Sequence, residues 1–339
     1  MRAGMSYADL VETAVNTDRF KEDYIVPGRQ VEMISDDIMR YGTESGRLSK
    51  VAHNNVCQKL RIPTRFYERM TEREGLRSHV VTELIQNSAK PFLFRTLAGD
   101  IRAMLSDKYK TIDNLEILTA ASPVLKDMNI EFKSANITNE RMYLQIAFPG
   151  LSGEVKAGDV VQYGLTITNS EVGLGTVRVS PTIWRLVCSN GLITTSETNY
   201  RHIGKKNTAG EDYSVYSDET LIADRKAFQM KLQDTIVASV SEARFDTLLE
   251  KMKGSTEEKI EDVVKTVENI TKRYSFTEDE SVLLTNNIFS GSDNSRWGVV
   301  NAVTAMAHST DDPNKAYEYE MNGAEILDLP RNQWEVMSA

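Results

Sequence analysis

The chain has 339 residues, of which 40% are hydrophobic and 26% charged, and its formal net charge is −9. This composition supports packed cores and argues against global disorder, and the length suits two ordinary domains or one large one. The acidic balance argues against a broadly basic surface for duplex DNA, because such binding needs clustered lysine and arginine. A local basic groove remains compatible with it.

The cysteines and the N-terminal segment indicate the compartment. Cys57 and Cys188 lie far apart and give neither a disulfide framework nor metal-ligand spacing. Cys188 is interpreted as a small buried residue at a strand end in preference to a nucleophile. The N-terminal segment lacks the apolar core of a signal peptide, and no apolar run reaches the ~18–20 residues of a membrane span. We therefore expect a cytoplasmic protein without a membrane partner.

Apolar spacing over residues 1–90 is typical of helices. Ser6 followed by Asp9 has the form of a helix cap. Helical spacing continues through three later segments, and Pro63 falls where a new helix begins. Those segments are RLSKVAHNNVCQKLRIP, PTRFYERM and LRSHVVTELIQNS. The pattern predicts an N-terminal helical region over residues 1–90.

From about residue 91 the apolar residues alternate as they do in strands. PFLFRTL and IRAMLS are joined by AGD, which predicts a hairpin. A helix follows, with Asp113 as a good N-cap. Further strand-like segments come next, with EVGLG as a hairpin loop between the last two: MNIEFKSAN, RMYLQIAF, DVVQYGLTITNS and GTVRVSPTIWRLVCS. Together they predict a β-rich core region over residues 91–215.

Residues 216–310 return to helical spacing. Two segments there open with capping-box patterns, Ser255 to Glu258 and Thr277 to Glu280. We predict a C-terminal helical region that packs on the core, followed by a polar, irregular tail over residues 311–339. The order of helices, strands and helices predicts an α+β fold with a central antiparallel sheet flanked by N-terminal and C-terminal helices. Two domains divided near residue 215 are the alternative.

Sequence signals for catalysis are weak. The chain has no phosphate-binding glycine loop, and its four histidines are scattered without metal-ligand spacing. No cofactor is predicted, and a non-catalytic role is favoured. The residue pattern of a Mg²⁺-dependent nuclease site is found in outline, with carboxylates at Asp113 and Glu131 and a lysine at Lys133. The Glu-x-Lys triplet recurs twice elsewhere, so the nuclease is retained only as an alternative.

Two basic clusters favour single-stranded nucleic acid, which needs cations for its phosphates and flat faces for its bases. The residues predicted to contact phosphates are Arg95, Arg102, Lys108, Lys110, Arg185, Arg201, Lys205 and Lys206. Tyr109 and Tyr200 are predicted to offer stacking faces. In the structural alternative, Arg102 and Arg185 instead have buried carboxylate partners. Asp107 and Asp159 are the candidates for that pairing.

Several segments resemble a known family. They are HNNVCQKLRIPTRFYERM, IRAMLSDKYKTIDN at 101–114, ITNSEVGLGTVRVSPTIWRLVCSNGL at 167–192 and SRWGVVNAVTAMAHS at 295–309. Their order is similar to that of the phage/plasmid-like proteins with the domain of unknown function 932. The resemblance covers about residues 45–310 and implies a protein of phages, plasmids or prophage islands in a bacterial cytoplasm. Since the family has no defined activity, no catalytic residue follows from it.

The favoured hypothesis is a phage or mobile-element protein of DNA metabolism that binds single-stranded nucleic acid as a recombination or annealing accessory. A homo-oligomer is an expectation attached to that function. One alternative is a protein-interaction factor, such as an acidic inhibitor of a host defence protein, using the acidic helices over residues 245–282. Its partner would be a host or phage protein. The Mg²⁺-dependent nuclease is the other alternative.

Overall fold

The fold contains antiparallel sheets and many helices. The structure is a computed structural model that describes residues 5–88, 90–187, 190–194, 198–200 and 217–338. It confirms the predicted α+β class, with a central antiparallel sheet between N-terminal and C-terminal helices. Among the helices that are described, none combines the length and apolar character needed to cross a bilayer.

A small sheet of order β1–β5–β6 carries the first predicted hairpin. Its strands are β1 (Lys21–Pro27), β5 (Pro91–Leu97) and β6 (Asp100–Ser106). The predicted AGD turn is confirmed, with φ of 51° at Ala98 and 89° at Gly99. Asp23 lies directly opposite Arg95 across the β1–β5 ladder, where side chains of opposite charge attract.

The large sheet has the order β11–β10–β9–β8–β7, and β12 also pairs with β10. Its strands are β7 (Glu131–Ile137), β8 (Met142–Glu154), β9 (Val160–Asn169), β10 (Val177–Arg185), β11 (Asn190–Ile193) and β12 (Thr198–Tyr200). The alternating segments predicted over this region are therefore confirmed as strands. A third sheet contains β2 (Val31–Met33), β3 (Ile38–Tyr41) and β4 (Glu44–Arg47).

The helices surround these sheets. They are α1 (Tyr7–Asp18), α2 (Lys50–Leu60), α3 (Thr64–Arg69), α4 (Leu76–Gln86), α5 (Asn114–Lys126), α6 (Asp218–Ser239), α7 (Glu242–Glu257), α8 (Val263–Tyr274), α9 (Glu278–Gly291), α10 (Arg296–Ala305), α11 (Pro313–Asp328) and α12 (Arg331–Ser338). The capping boxes at Ser6 and at Thr277 are confirmed, each with reciprocal side-chain bonds. The capping box predicted at Ser255 is wrong, because Ser255 lies inside α7 and Asp262 caps the next helix, α8.

Two regions differ from the predicted secondary structure. Residues 21–47, predicted as helical, form β1 to β4, because their pairing partners include the distant strand β5. The tail predicted as irregular contains α11 and α12. Asp312 caps α11 and Pro313 occupies its first turn, where proline is tolerated. The buried face of α11 includes Tyr319 and Ile326, so this segment belongs to the core.

The two largest hydrophobic clusters contain most of the buried apolar residues. The larger one joins one face of the large sheet to α5 and the C-terminal helices, with Tyr163 and Trp297 fully covered. The smaller one lies between the β1–β5–β6 sheet and α2 to α4, and it includes Phe94 and Met104. Burial on this scale, at roughly 25 cal/mol per Å² of apolar surface, is the main stabilising contribution to such a fold. The candidate site lies where these two parts meet.

Candidate functional site

One end of the large sheet collects the residues of interest. The positions Ile137, Met142, Asn169, Val177 and Tyr200 are neighbours there across successive strands. Two connecting segments leave the sheet at this point, residues 138–141 and residues 170–176. We call this part of the molecule the loop end.

Glu171 is the centre of the charged groups at the loop end. Its carboxylate accepts hydrogen bonds from Lys21 Nζ at 2.6 Å and Arg102 Nη1 at 2.8 Å. It also accepts from the backbone N–H of Asn114 at 2.7 Å, and so caps the start of α5. Asp113 occupies the predicted N-cap position, but its side chain makes no cap bond. One buried carboxylate therefore ties the small sheet to the large sheet and to α5.

The environment of Glu171 keeps it ionised. Burial alone would raise the pKa of this carboxyl group, because low-dielectric surroundings disfavour charge. The positive charges of Lys21 and Arg102 and the N–H of Asn114 outweigh that effect and lower the pKa to about 2. Glu171 is therefore an anion throughout the physiological range.

Acid is expected to remove the stabilising contribution of Glu171. Its folded pKa of about 2 lies below the ordinary 4.5, so the contribution is complete above about pH 4.5 and is lost as pH falls toward 2. The shift corresponds to a loss on the order of 3 kcal/mol. Urea midpoints measured from about pH 7 down to about pH 2.5 should fall more steeply for the wild type than for Glu171→Gln. Equal slopes would contradict this account.

Arg95 is buried and hydrogen-bonded inside the protein, which contradicts its predicted contact with phosphate. Its side chain is 1% exposed. Nε donates to Asp23 at 2.9 Å, Nη2 to Asp113 at 2.6 Å and Nη1 to the carbonyl oxygen of Glu171 at 2.9 Å. Burial alone would lower the pKa of the guanidinium, but the two aspartates hold it above its usual range. An external phosphate cannot reach a side chain whose three nitrogens all donate internally.

Arg185 is also excluded from the loop end. Its Nε donates to Asp159 Oδ1 at 2.5 Å, which confirms the carboxylate partner predicted in the structural alternative. Arg185 ends β10 while Val177 begins it, and the two are about 26 Å apart at the usual rise per strand residue. Arg185 is therefore too far from the loop end to belong to a groove there, and its phosphate contact stays a prediction.

Arg102 is only partly satisfied. Nη1 pairs with Glu171, so the partner of Arg102 is a carboxylate other than the two candidates, Asp107 and Asp159. Nε and Nη2 are covered, and within the described part of the chain they have no hydrogen-bond partner. Covered donors without acceptors are uncommon and costly in folded proteins. Arg102 therefore carries donor capacity that the described protein groups do not use.

A cavity of about 220 Å³ lies beside Arg102. Its walls come from α1, the small sheet, the start of α5 and the two segments of the loop end. The lining residues are Thr13, Ala14, Thr17, Lys21, Leu97, Arg102, Asn114, Ile137, Thr138, Asn139, Glu140, Arg141 and Glu171. Three of these side chains are cations and two are carboxylates. Hydroxyl and amide groups complete a polar lining that offers both hydrogen-bond donors and acceptors.

The first predicted basic cluster is largely engaged with the protein. Tyr109, expected to be exposed, is half-buried, and its hydroxyl donates to the carbonyl oxygen of Ser170 at 3.1 Å. Burial raises the pKa of its phenol. Lys110 Nζ pairs with Asp224 of α6 at 2.5 Å. Lys108 is exposed to solvent. The cluster thus offers Lys108 at the surface, while Tyr109 and Lys110 anchor the segment.

The second predicted cluster begins at the same end of the sheet. Tyr200 pairs through its backbone with Val177, which lies beside Asn169. Tyr109 is bonded to the residue directly after Asn169. The Tyr200 side chain and Arg201, Lys205 and Lys206 lie outside the described residues. The backbone of Tyr200 and the side chain of Tyr109 therefore both lie at the loop end.

The three nuclease candidates are occupied by other contacts. Asp113 holds Arg95, and Lys133 pairs with Glu131 at 2.7 Å. Over the ranges that the structure describes, no group of three His, Cys, Asp or Glu side chains is placed to hold a metal ion. The geometry therefore gives the nuclease alternative no support.

Comparison with known families places the chain. A family model described as domain of unknown function (DUF932) matches residues 103–320, well over half of the 339 residues. The chain belongs to the DUF932 family. The resemblance seen in the sequence is thereby confirmed. No curated protein and no solved structure matches this DUF932 protein. The family description states no activity, so function has to be argued from the site.

Three residues of the DUF932 site were missed by sequence reasoning. Lys21 and Arg141 line the cavity, and Glu171 organises it. Glu171 carried a signal, since it is an acid two residues after the apolar strand β9 and within a loop otherwise made of small and apolar residues. Lys21 and Arg141 carried none, because each stands at a strand start among other charged residues.

Proposed function

We propose that this DUF932 protein is a non-catalytic protein that binds single-stranded nucleic acid at the loop end, as an accessory of DNA metabolism on a phage or other mobile element in a bacterial cytoplasm. The observation that carries the proposal is the cavity at the loop end, which Arg102 lines, together with two covered nitrogens of Arg102 that have no partner among the described residues. Lys21 and Arg141 share that cavity. Lys108 and the start of the second basic cluster lie at the same end of the sheet.

A phosphate is the group that this cavity suits best. Arginine presents planar donors that match phosphate oxygens, and lysine adds a point charge. Thr17 and Thr138 supply hydroxyl donors to the same lining. Glu171 is already neutralised by its two cationic neighbours, so it repels an incoming anion less than an unpaired carboxylate would. The cavity can therefore accept an anion although the whole chain is acidic.

The concave shape favours a single strand over a duplex. A flexible strand can turn one phosphate into a recess while its neighbours follow the surrounding surface. A duplex holds its phosphates on a stiff convex surface and needs a broad basic face, which a net charge of −9 opposes. We expect neighbouring phosphates to contact Arg141 in the cavity lining and Lys108, which is exposed in the segment that Tyr109 joins to Ser170.

The test is fluorescence anisotropy with a labelled single-stranded oligonucleotide at about 50 and about 200 mM salt. We expect binding that weakens with salt, and a slope reduced by about 0.7 for each phosphate contact removed. Arg141→Ala and Lys108→Glu should each weaken binding several-fold. Lys272→Glu is the matched control, because Lys272 is an exposed lysine on α8, and it should bind as the wild type does.

Absence of binding at low salt would refute the proposal. Equal weakening by Lys272→Glu would show attraction to overall charge without a site at the loop end. Retention of a host protein in a pull-down, together with no oligonucleotide binding, would instead favour the acidic inhibitor. A phosphodiester-cleaving activity that depends on added Mg²⁺ would revive the nuclease.

A further inference from the structure

Helix α6 is apolar on two opposite faces. Phe228, Leu232 and Ile236 form the face that packs into the core. Met230 and Val237 lie on the other side of the helix and are 55% and 53% exposed. An amphipathic helix at a protein surface normally has polar residues on its outer side. Met230 and Val237 therefore form an exposed apolar stripe on the outer side of α6.

The exposed face is built around Met230. Ala223, Met230 and Val237 recur at heptad spacing, which places them along one stripe of the helix. Lys226 precedes Met230 by one helical turn and Asp234 follows it by one turn. At ~100° per residue, these two charges lie about 40° to either side of Met230. All five side chains are exposed.

We propose that a second copy of this chain packs on this face, with the two α6 helices antiparallel and a two-fold axis at Met230. In that arrangement Lys226 of each copy lies opposite Asp234 of the other, since both are about 6 Å from the axis along the helix. Val237 lies opposite Ala223, and Met230 packs against its own counterpart. Such an interface is isologous, because one patch meets itself.

Charge complementarity commits the face to a copy of the same chain. The order of positive, apolar and negative residues along α6 becomes its own complement when the helix is reversed. Ala223 and Ala227 are small, so the two backbones can approach closely. One pair of helices of 22 residues covers less than the ~1,200–2,000 Å² of a standard stable interface. The dimer is therefore weak, and the fraction of the chain in dimers rises with protein concentration.

The first test measures the mass of the full chain in solution. Sedimentation velocity up to about 100 µM protein should show a concentration-dependent dimer. Met230→Glu places two negative charges together at the axis and should abolish it. Val282→Glu is the matched control, because Val282 is 56% exposed on α9, and its dimer should equal that of the wild type.

The second test exchanges the charges. Lys226→Glu and Asp234→Lys each set like charges opposite one another twice per dimer, and each should raise the dissociation constant by about ten-fold or more. The double variant restores opposite charges in reversed order and should return to within about three-fold of the wild type. Circular dichroism of each variant, expected to equal that of the wild type, confirms that α6 remains folded.

Three results would overturn the proposal. The first is a monomer at every concentration, and the second is a dimer that survives Met230→Glu. The third is a double charge variant weaker than either single variant, since it would mean that the two charges do not face each other. Another protein partner would appear as a monomer that binds that partner through Met230, which also counts against the two-fold interface. The dimer does not depend on nucleic-acid binding.

Discussion

Replacing Glu171 by alanine should lower the free energy of unfolding by about 3–5 kcal/mol. The change leaves Lys21 and Arg102 as covered cations without their shared carboxylate, and it removes the cap on the N–H of Asn114. Both side chains are largely buried, at 7% and 14% exposed, so water cannot fully replace the lost partner. Denaturant titration of the two proteins at neutral pH measures the difference.

The matched control is Glu268→Ala on α8. Glu268 is 60% exposed and its nearest cation is Lys272 at 4.0 Å, so its loss should cost less than about 0.5 kcal/mol. A cost below about 1 kcal/mol for Glu171→Ala would mean that Arg102 finds water or another acceptor and that Asp18, 3.3 Å from Lys21 Nζ, suffices for the lysine. In that case Glu171 would not be what joins the two sheets.

The strands of the core were predictable because their signals are local. The β5–β6 hairpin needs only two alternating segments and a turn that admits positive φ, and all three are contiguous in sequence. The capping boxes at Ser6 and Thr277 are equally local. Strand β1 gave no comparable signal, since it carries three charged residues and is defined by its pairing with β5. Its prediction required knowledge of the partner.

The charged groups of the candidate site were not predictable either, because their partners are distant in sequence, as β5 is from β1. Lys21 and Glu171 are 150 residues apart in sequence, and Arg102 and Glu171 are 69 apart. Sequence reasoning recognised that an arginine on an apolar strand needs a partner, and one of its two candidate carboxylates, Asp159, does bind Arg185. It offered Asp107 and Asp159 as the candidates for the two arginines, and neither of them is the partner of Arg102. The fold instead supplies Glu171 through the segment 170–176.

Asp159 should be the second residue with a large effect on stability. It is 2% exposed and accepts hydrogen bonds from Arg185 Nε at 2.5 Å and Trp297 Nε1 at 2.8 Å. It thereby joins the far end of the large sheet to α10. Asp159→Ala leaves the indole N–H of Trp297 buried without an acceptor and separates Arg185 from its carboxylate. We expect a loss of about 3–5 kcal/mol, measured by denaturant titration.

A double-mutant cycle separates the two contacts of Asp159. Trp297→Phe removes the indole N–H while keeping an aromatic ring. The double variant should therefore lose about 1–2 kcal/mol less stability than the sum of the losses of Trp297→Phe and Asp159→Ala. Asp246→Ala, at an exposed position on α7, is the control and should change stability by less than about 0.5 kcal/mol. Strictly additive costs would contradict the shared hydrogen bond.

Arg185→Ala should leave oligonucleotide binding unchanged, because Arg185 lies at the opposite end of β10 from the loop end. Weakened binding in a folded Arg185→Ala variant would therefore move the proposed nucleic-acid surface away from the loop end.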